Sequence, residues 1–127
     1  MDRRTISSGS PYEPVIGFSR AVVANGHVFV AGTAPVMPEG VEPPVDVYGQ
    51  ARRCLEIVLD ALREAGAGPE QVVRTRMFLT EASDWEEVGR AHGEVFGDIR
   101  PASTMIVVRG FLDPRWRVEM EAEAVLG

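Results

Sequence analysis

The segment Trp116-Arg117-Val118-Glu119-Met120-Glu121-Ala122-Glu123-Ala124-Val125 decides how this chain folds, because it alternates without a break. In an extended strand Val118, Met120, Ala122 and Ala124 fall on one side, and Arg117, Glu119, Glu121 and Glu123 on the other. The apolar side suits a layer of helices. The acidic side sets three carboxylates in a row, which repel one another unless arginine, water or a ligand neutralises them. Residues 71–79 (QVVRTRMFL) alternate as well: Val73, Thr75, Met77 and Leu79 are expected to meet the helices, and Val72, Arg74, Arg76 and Phe78 to point away. Two such strands side by side would set arginines against glutamates. That lattice is either a salt-bridge network, in solvent or between subunits, or a place where one Glu or Arg touches a ligand.

The rest of the order follows from turns and periods. Residues 18–24 (FSRAVVA) and 27–32 (HVFVAG) are β-rich runs joined by Asn25-Gly26, a pair that tolerates the positive φ angles of a tight hairpin turn. A loop with Pro35, Pro38, Pro43 and Pro44 leads to Asp46, a candidate helix cap. From Val47 to Ala65 apolar residues recur every three or four positions, and Gly66 closes the helix. Ser83 with Glu86 has the spacing of a capping box, and Trp85, Val88, His92, Val95 and Phe96 continue at helical spacing to Gly97. Residues 103–109 and 116–125 are two further strands, and a short strand fits near Arg4 to Ser7. Two helices cannot cover both faces of such a sheet, so they are expected on one face of a mixed α+β sheet, leaving the other face to a partner.

The 127 residues form one domain's length, residues 1–127, with 45% hydrophobic and 25% charged residues. A formal charge of -6 has the wrong sign for neutralising a phosphate backbone, so no nucleic-acid partner is expected. The single cysteine excludes an internal disulfide and fits a cytoplasmic location. No apolar run approaches a membrane span, so no membrane partner is expected. His27 and His92 lack a paired metal-ligand spacing, and no glycine-rich phosphate loop is present, so neither a metal nor a cofactor is expected. His27 follows the hairpin turn and reads as exposed. His92 reads as a packed histidine, and Cys54 as a small core hydrophobe.

Six stretches in order resemble one family. They are Gly17 to Ala21, Val28 to Pro35, Gln50 to Leu55, Val72 to Leu79, Phe96-Gly97 through Arg100-Pro101-Ala102, and Val118 to Ala122. The chain resembles the RidA/YjgF superfamily of reactive-intermediate deaminases, also called L-PSP proteins, over essentially its whole length. The resemblance implies a chorismate-mutase-like fold assembled as a homotrimer, with ligand clefts between adjacent subunits. It also implies a small imine, enamine or carbonyl metabolite as ligand. Glu119 falls at the family's catalytic glutamate, and Gly32 would offer a backbone N–H. The deaminases carry an arginine after the Pro-Ala pair to clamp a substrate carboxylate; Ser103 stands there here. Phe18 stands where tyrosine is common, Gly89 where asparagine is frequent, and Met105 where cysteine is frequent.

The expected site is therefore Glu119 as general acid/base, with Phe18, Gly32, Ser103, Met105 and Arg100 around the ligand. Arg100 lies three residues before Ser103, whereas Arg109 lies about 20 Å beyond it along an extended strand, too far for the same cleft. Three activities remain in view. One is an imine- or enamine-directed hydrolase that departs from the usual 2-iminobutanoate deaminase, one a non-catalytic small-molecule-binding or regulatory trimer, and one an endoribonuclease, which the acidic charge disfavours.

Overall fold

The computed structural model describes residues 2–127, and it contains eight principal elements. These are β1 (Arg3–Ile6), β2 (Ala21–Ala24), β3 (His27–Thr33), α1 (Val47–Glu64), β4 (Val72–Leu79), α2 (Trp85–Phe96), β5 (Ala102–Val107) and β6 (Val118–Val125). The strands form one sheet in the order β1-β2-β3-β6-β4-β5, antiparallel except for the β4–β5 pair. The last strand in sequence thus lies near the middle of the sheet, between β3 and β4.

Local chemistry explains the elements. Asn25 (φ 50°) and Gly26 (φ 75°) take the left-handed angles of the β2–β3 hairpin, as their sequence requires. Asp46 caps α1, its Oδ2 accepting from the Gly49 N–H at 2.9 Å. At the other end Gly66 adopts φ 91°, and the Ala67 N–H reaches back to the Leu62 carbonyl at 2.8 Å. Arg4 of β1 adds a donor to the same end, 2.8 Å from the Ala65 carbonyl. Both helices lie on one face: α1 rests on β6 and β3, with α2 beside α1. Val28, Cys54, Leu62, Val88 and Val118 are completely buried in the layer between. Burying each large aliphatic side chain contributes roughly 1.5–3 kcal/mol. Gln50 is a large polar group buried inside, at 1% exposure. It donates to the Pro44 and Arg115 carbonyls and accepts from the Arg117 N–H, fastening α1 to the start of β6.

The parity of β6 is as its sequence predicts, with Val118, Met120, Ala122 and Ala124 buried and the glutamates on the open face. Four details differ. Val73 is 48% exposed and Val72 is buried, because an irregularity between Val72 and Arg74 adds a residue to β4 and inverts the parity before Arg74. The strands are shorter than expected: residues 18–20 and 116–117 lie outside β2 and β6, and Val108 and Arg109 outside β5. Ser83 forms no capping box. The chain makes a tight turn over Ala82–Asp84, so α2 starts after Asp84, whose carboxylate instead accepts from Arg117 at 2.8 Å. Finally, Gly97 keeps a helical φ of -56°, and the left-handed residue after α2 is Arg100, at φ 56°.

If Asp46 holds the first turn of α1, Asp46→Ala should cost about 1 kcal/mol. Urea unfolding is expected to show this as a lower midpoint at unchanged slope.

Candidate functional site

The open face of the sheet is charged in its middle and apolar at its flank. Register places Arg74 against Glu123, Arg76 against Glu121 and Phe78 against Glu119 on β4 and β6. Arg76 forks between two carboxylates, with Nη1 3.3 Å from Glu121 and 3.2 Å from Glu123. Those two acids are satisfied. Glu119 has no salt bridge among the described residues. Burial raises its pKa above the ordinary carboxylate value, Arg20 pulls it back in part, and the negative charge of Glu121 adds to the rise. The third glutamate of the row therefore holds a proton more readily than an exposed glutamate does.

Its neighbourhood is set by β3. Register slips between Val30 and Thr33, so Ala31 and Gly32 stand out of the regular ladder with β6. A side chain at Gly32 would crowd Glu119: a Cβ there would lie 3.1 Å from Glu119 Oε1. Glycine is what allows the carboxylate to lie against this strand. Arg20 braces the same corner by donating to Thr33 Oγ1 at 2.9 Å and to the Gly32 carbonyl at 3.4 Å. Phe18 precedes it by two residues, directly after the helical turn Glu13–Gly17, and is 37% exposed.

Ser103 and Met105 lie elsewhere. They pair with Thr75 and Met77, whose side chains face the helices, so they occupy the sheet face opposite Glu119. Met105 lies against α2, close to Gly89. Ser103 Oγ and Thr75 Oγ1 are hydrogen-bonded at 2.8 Å, and Thr75 Oγ1 is also 2.8 Å from His92 Nε2. His92 packs against Phe96 with ring centroids 4.7 Å apart and the planes tilted by 40°, and burial lowers its pKa, which favours the neutral ring. Arg100 does not reach this group; its side chain turns back to the Gly97 carbonyl at 3.1 Å. The residues singled out by sequence thus divide into Glu119 and Gly32 on one face, and Ser103 and Met105 on the other. No single chain brings the two sets together.

Thr75 is the residue that sequence reasoning missed. Its position on the inner face of β4 is legible, but its partners depend on β5 running parallel beside β4 and on α2 crossing above. His92 is packed, as expected, yet through a hydrogen bond as well as through its ring. His27 is exposed and stacks on Phe29. Cys54 is buried, and burial pushes its thiol pKa strongly upward, which keeps it an unreactive thiol. No group of acidic, histidine or cysteine side chains among the described residues forms a metal site, and no helix is long and apolar enough to cross a membrane.

The family model "Endoribonuclease L-PSP" matches residues 9–126. The chain belongs to this family. A protein of Streptomyces coelicolor without an assigned activity is 42% identical over 124 residues, covering 98% of this chain and 92% of its own. A RutC family protein of Synechocystis is 31% identical, covering 99% and 98%. Among solved structures, a YjgF/YER057c/UK114 family member from Mycobacterium tuberculosis superposes with a TM-score of 0.90 at 40% identity, covering 98% of this chain and all of that one. TdcF of E. coli, solved with bound serine, superposes at 0.81 with 25% identity, covering 98% of this chain and 94% of its own. The six-stranded sheet with two helices is the L-PSP fold.

Since burial favours the neutral Glu119, its ionisation opposes folding. The penalty is absent below the unfolded carboxyl value of about pH 4, grows as pH rises, and is complete above the raised folded value. Glu119→Gln is therefore expected to raise the melting temperature at neutral pH and leave it nearly unchanged at about pH 3.5. Thermal unfolding at the two pH values checks this.

Proposed function

We propose that this L-PSP family chain works as a homotrimer whose clefts, formed between subunits, take a small imine, enamine or carbonyl metabolite, with Glu119 moving the proton. One observation carries the reading: of three glutamates in a row, Glu121 and Glu123 share Arg76, while Glu119 is half-buried and unpaired among the described residues, and its burial raises its pKa above the ordinary carboxylate value. A structural network would have paired all three. A carboxyl whose environment raises its pKa is suited to general acid/base work.

The chemistry closes without a further group. All 13 basic residues are arginines, so no lysine offers an enzyme-bound Schiff base, and the C=N bond arrives with the substrate. The Glu119 carboxylate takes a proton from water as its oxygen adds to the imine carbon. The protonated carboxyl returns that proton to nitrogen to give a carbinolamine; Glu119 then takes the adduct's hydroxyl proton and delivers it to the amine nitrogen as the C=O bond forms and the C–N bond breaks, so ammonia leaves and a carbonyl product remains. The relative that holds serine supports a small polar ligand in this fold.

Assembly follows from the placement of the two residue sets. Glu119 and Ser103 lie on opposite faces of one sheet, so a cleft containing both takes its walls from two copies. By the family resemblance Ser103 stands at the carboxylate-clamping arginine, and a hydroxyl gives no bidentate charged contact. The chain therefore departs from the usual 2-iminobutanoate deaminase, and a trimer that binds such compounds without turnover is the second reading that this serine favours.

Release of keto acid from 2-iminobutanoate formed in situ separates the readings. Slow turnover that falls about 100-fold or more in Glu119→Gln is expected. Ser103→Arg is expected to raise kcat/KM for this carboxylate-bearing substrate by roughly tenfold. Turnover indifferent to Glu119→Gln would remove Glu119 from the mechanism, and saturable binding without turnover would establish the binding protein instead.

A further inference from the structure

The face that carries Ser103 offers hydroxyls and an imidazole, and Arg100, three residues before it in the chain, is turned to the Gly97 carbonyl. Ser103 is exposed on β5, Thr75 is 4% exposed beneath it, and His92 reaches Thr75 from α2. Two 2.8 Å hydrogen bonds join them in series. Each hydroxyl has one proton and accepting lone pairs, and a neutral imidazole has one N–H and one bare nitrogen. The series therefore has two orders. With His92 Nε2 bare, Ser103 donates to Thr75, Thr75 donates to His92, and Ser103 shows the solvent only lone pairs. With Nε2 protonated, the donations reverse and Ser103 has its proton free for a ligand.

We propose that Ser103, Thr75 and His92 form a proton relay whose exposed end, Ser103 Oγ, binds an uncharged carbonyl, amide or imine group of the ligand. The inference rests on the reading above, that a small compound of this kind enters beside Ser103. The transfer balances. When the protonated, iminium form of an imine ligand gives its N–H proton to Ser103 Oγ, the serine's own proton passes to Thr75 Oγ and the threonine's to His92 Nε2, which leaves the imine uncharged. One O–H bond is broken and one formed at each hydroxyl, the new N–H lies on His92, and the positive charge rests on the imidazole. Return of the proton runs the series backwards. Ser103 is the ligand-binding residue; Thr75 and His92 are positioning residues that set which order it presents. A carboxylate gains less here, because it only accepts hydrogen bonds and Arg100 is engaged with the Gly97 carbonyl.

The test is imidazole ¹⁵N NMR on the assembled protein, titrated with propionamide and, separately, with propionate, two probes of the same shape. Propionamide is expected to move the His92 Nε2 resonance saturably, with a Kd about fivefold below that of propionate. Ser103→Ala, a change at an exposed position, is expected to abolish the response. Thr75→Val should abolish it too, and Thr75→Ser, which keeps the hydroxyl, should restore it. Equal or tighter binding of propionate, a His92 response that survives in Ser103→Ala, or no response to either probe would overturn the proposal. Turnover does not enter the measurement, so its failure leaves the role of Glu119 standing, and a failure of Glu119 in catalysis leaves the relay to be judged on its own.

Discussion

Everything in this structure turns on β6, a central strand with one face that must be dry and another that carries three carboxylates. The dry face fixes where the helices go, since Val118, Met120, Ala122 and Ala124 are the floor on which α1 rests. The acidic face then has to be balanced from the flanking strands. A like-charge row in the middle of a sheet is costly, and each half-exposed Arg–Glu pair returns at most about 1 kcal/mol. Arg76 forks across two of the three acids, and the bulged strand β3 leaves glycine beside the third. That Glu119 has no ion pair among the described residues is thus a consequence of how the sheet is neutralised, and its burial raises its affinity for a proton.

Much of this was legible from residue order because β6 alternates so strictly. The hairpin at Asn25-Gly26, the cap at Asp46 and the glycine closing α1 are local signals, and each acts within a few residues of its effect. Non-local geometry was less legible. The bulge that exposes Val73 depends on how β4 meets Ala124 and Glu123 of a strand some fifty residues away. Ser83 and Glu86 have the spacing of a capping box, but the tight turn ahead of α2 leaves Asp84 as the cap position and Arg117 pairs with its carboxylate. Strain is tolerated at Arg100, which takes a left-handed φ in the turn after α2 and whose side chain donates to the Gly97 carbonyl. That is a physical reason why an arginine three residues from Ser103 does not serve it.

The candidate site was legible by resemblance and only half by physics. Glu119 could be placed on the acidic face from parity alone, but its lack of a partner needed the register with β4. Ser103 carries no chemical signal in sequence. Its interest comes from Thr75 and His92, which a parallel strand and a crossing helix bring beneath it. The open face also keeps apolar area uncovered, with Phe29 at 45% and Ile106 at 38% exposure flanking the charged middle. A surface of that kind, together with two sets of site residues on opposite faces, is what a subunit of a larger assembly presents.

The central claim is that one chain holds only the halves of two different clefts. Sedimentation equilibrium of the purified protein at micromolar concentration tests it most directly. The account predicts a mass of about three times the 13.9 kDa of the chain. A single species at 13.9 kDa would contradict it.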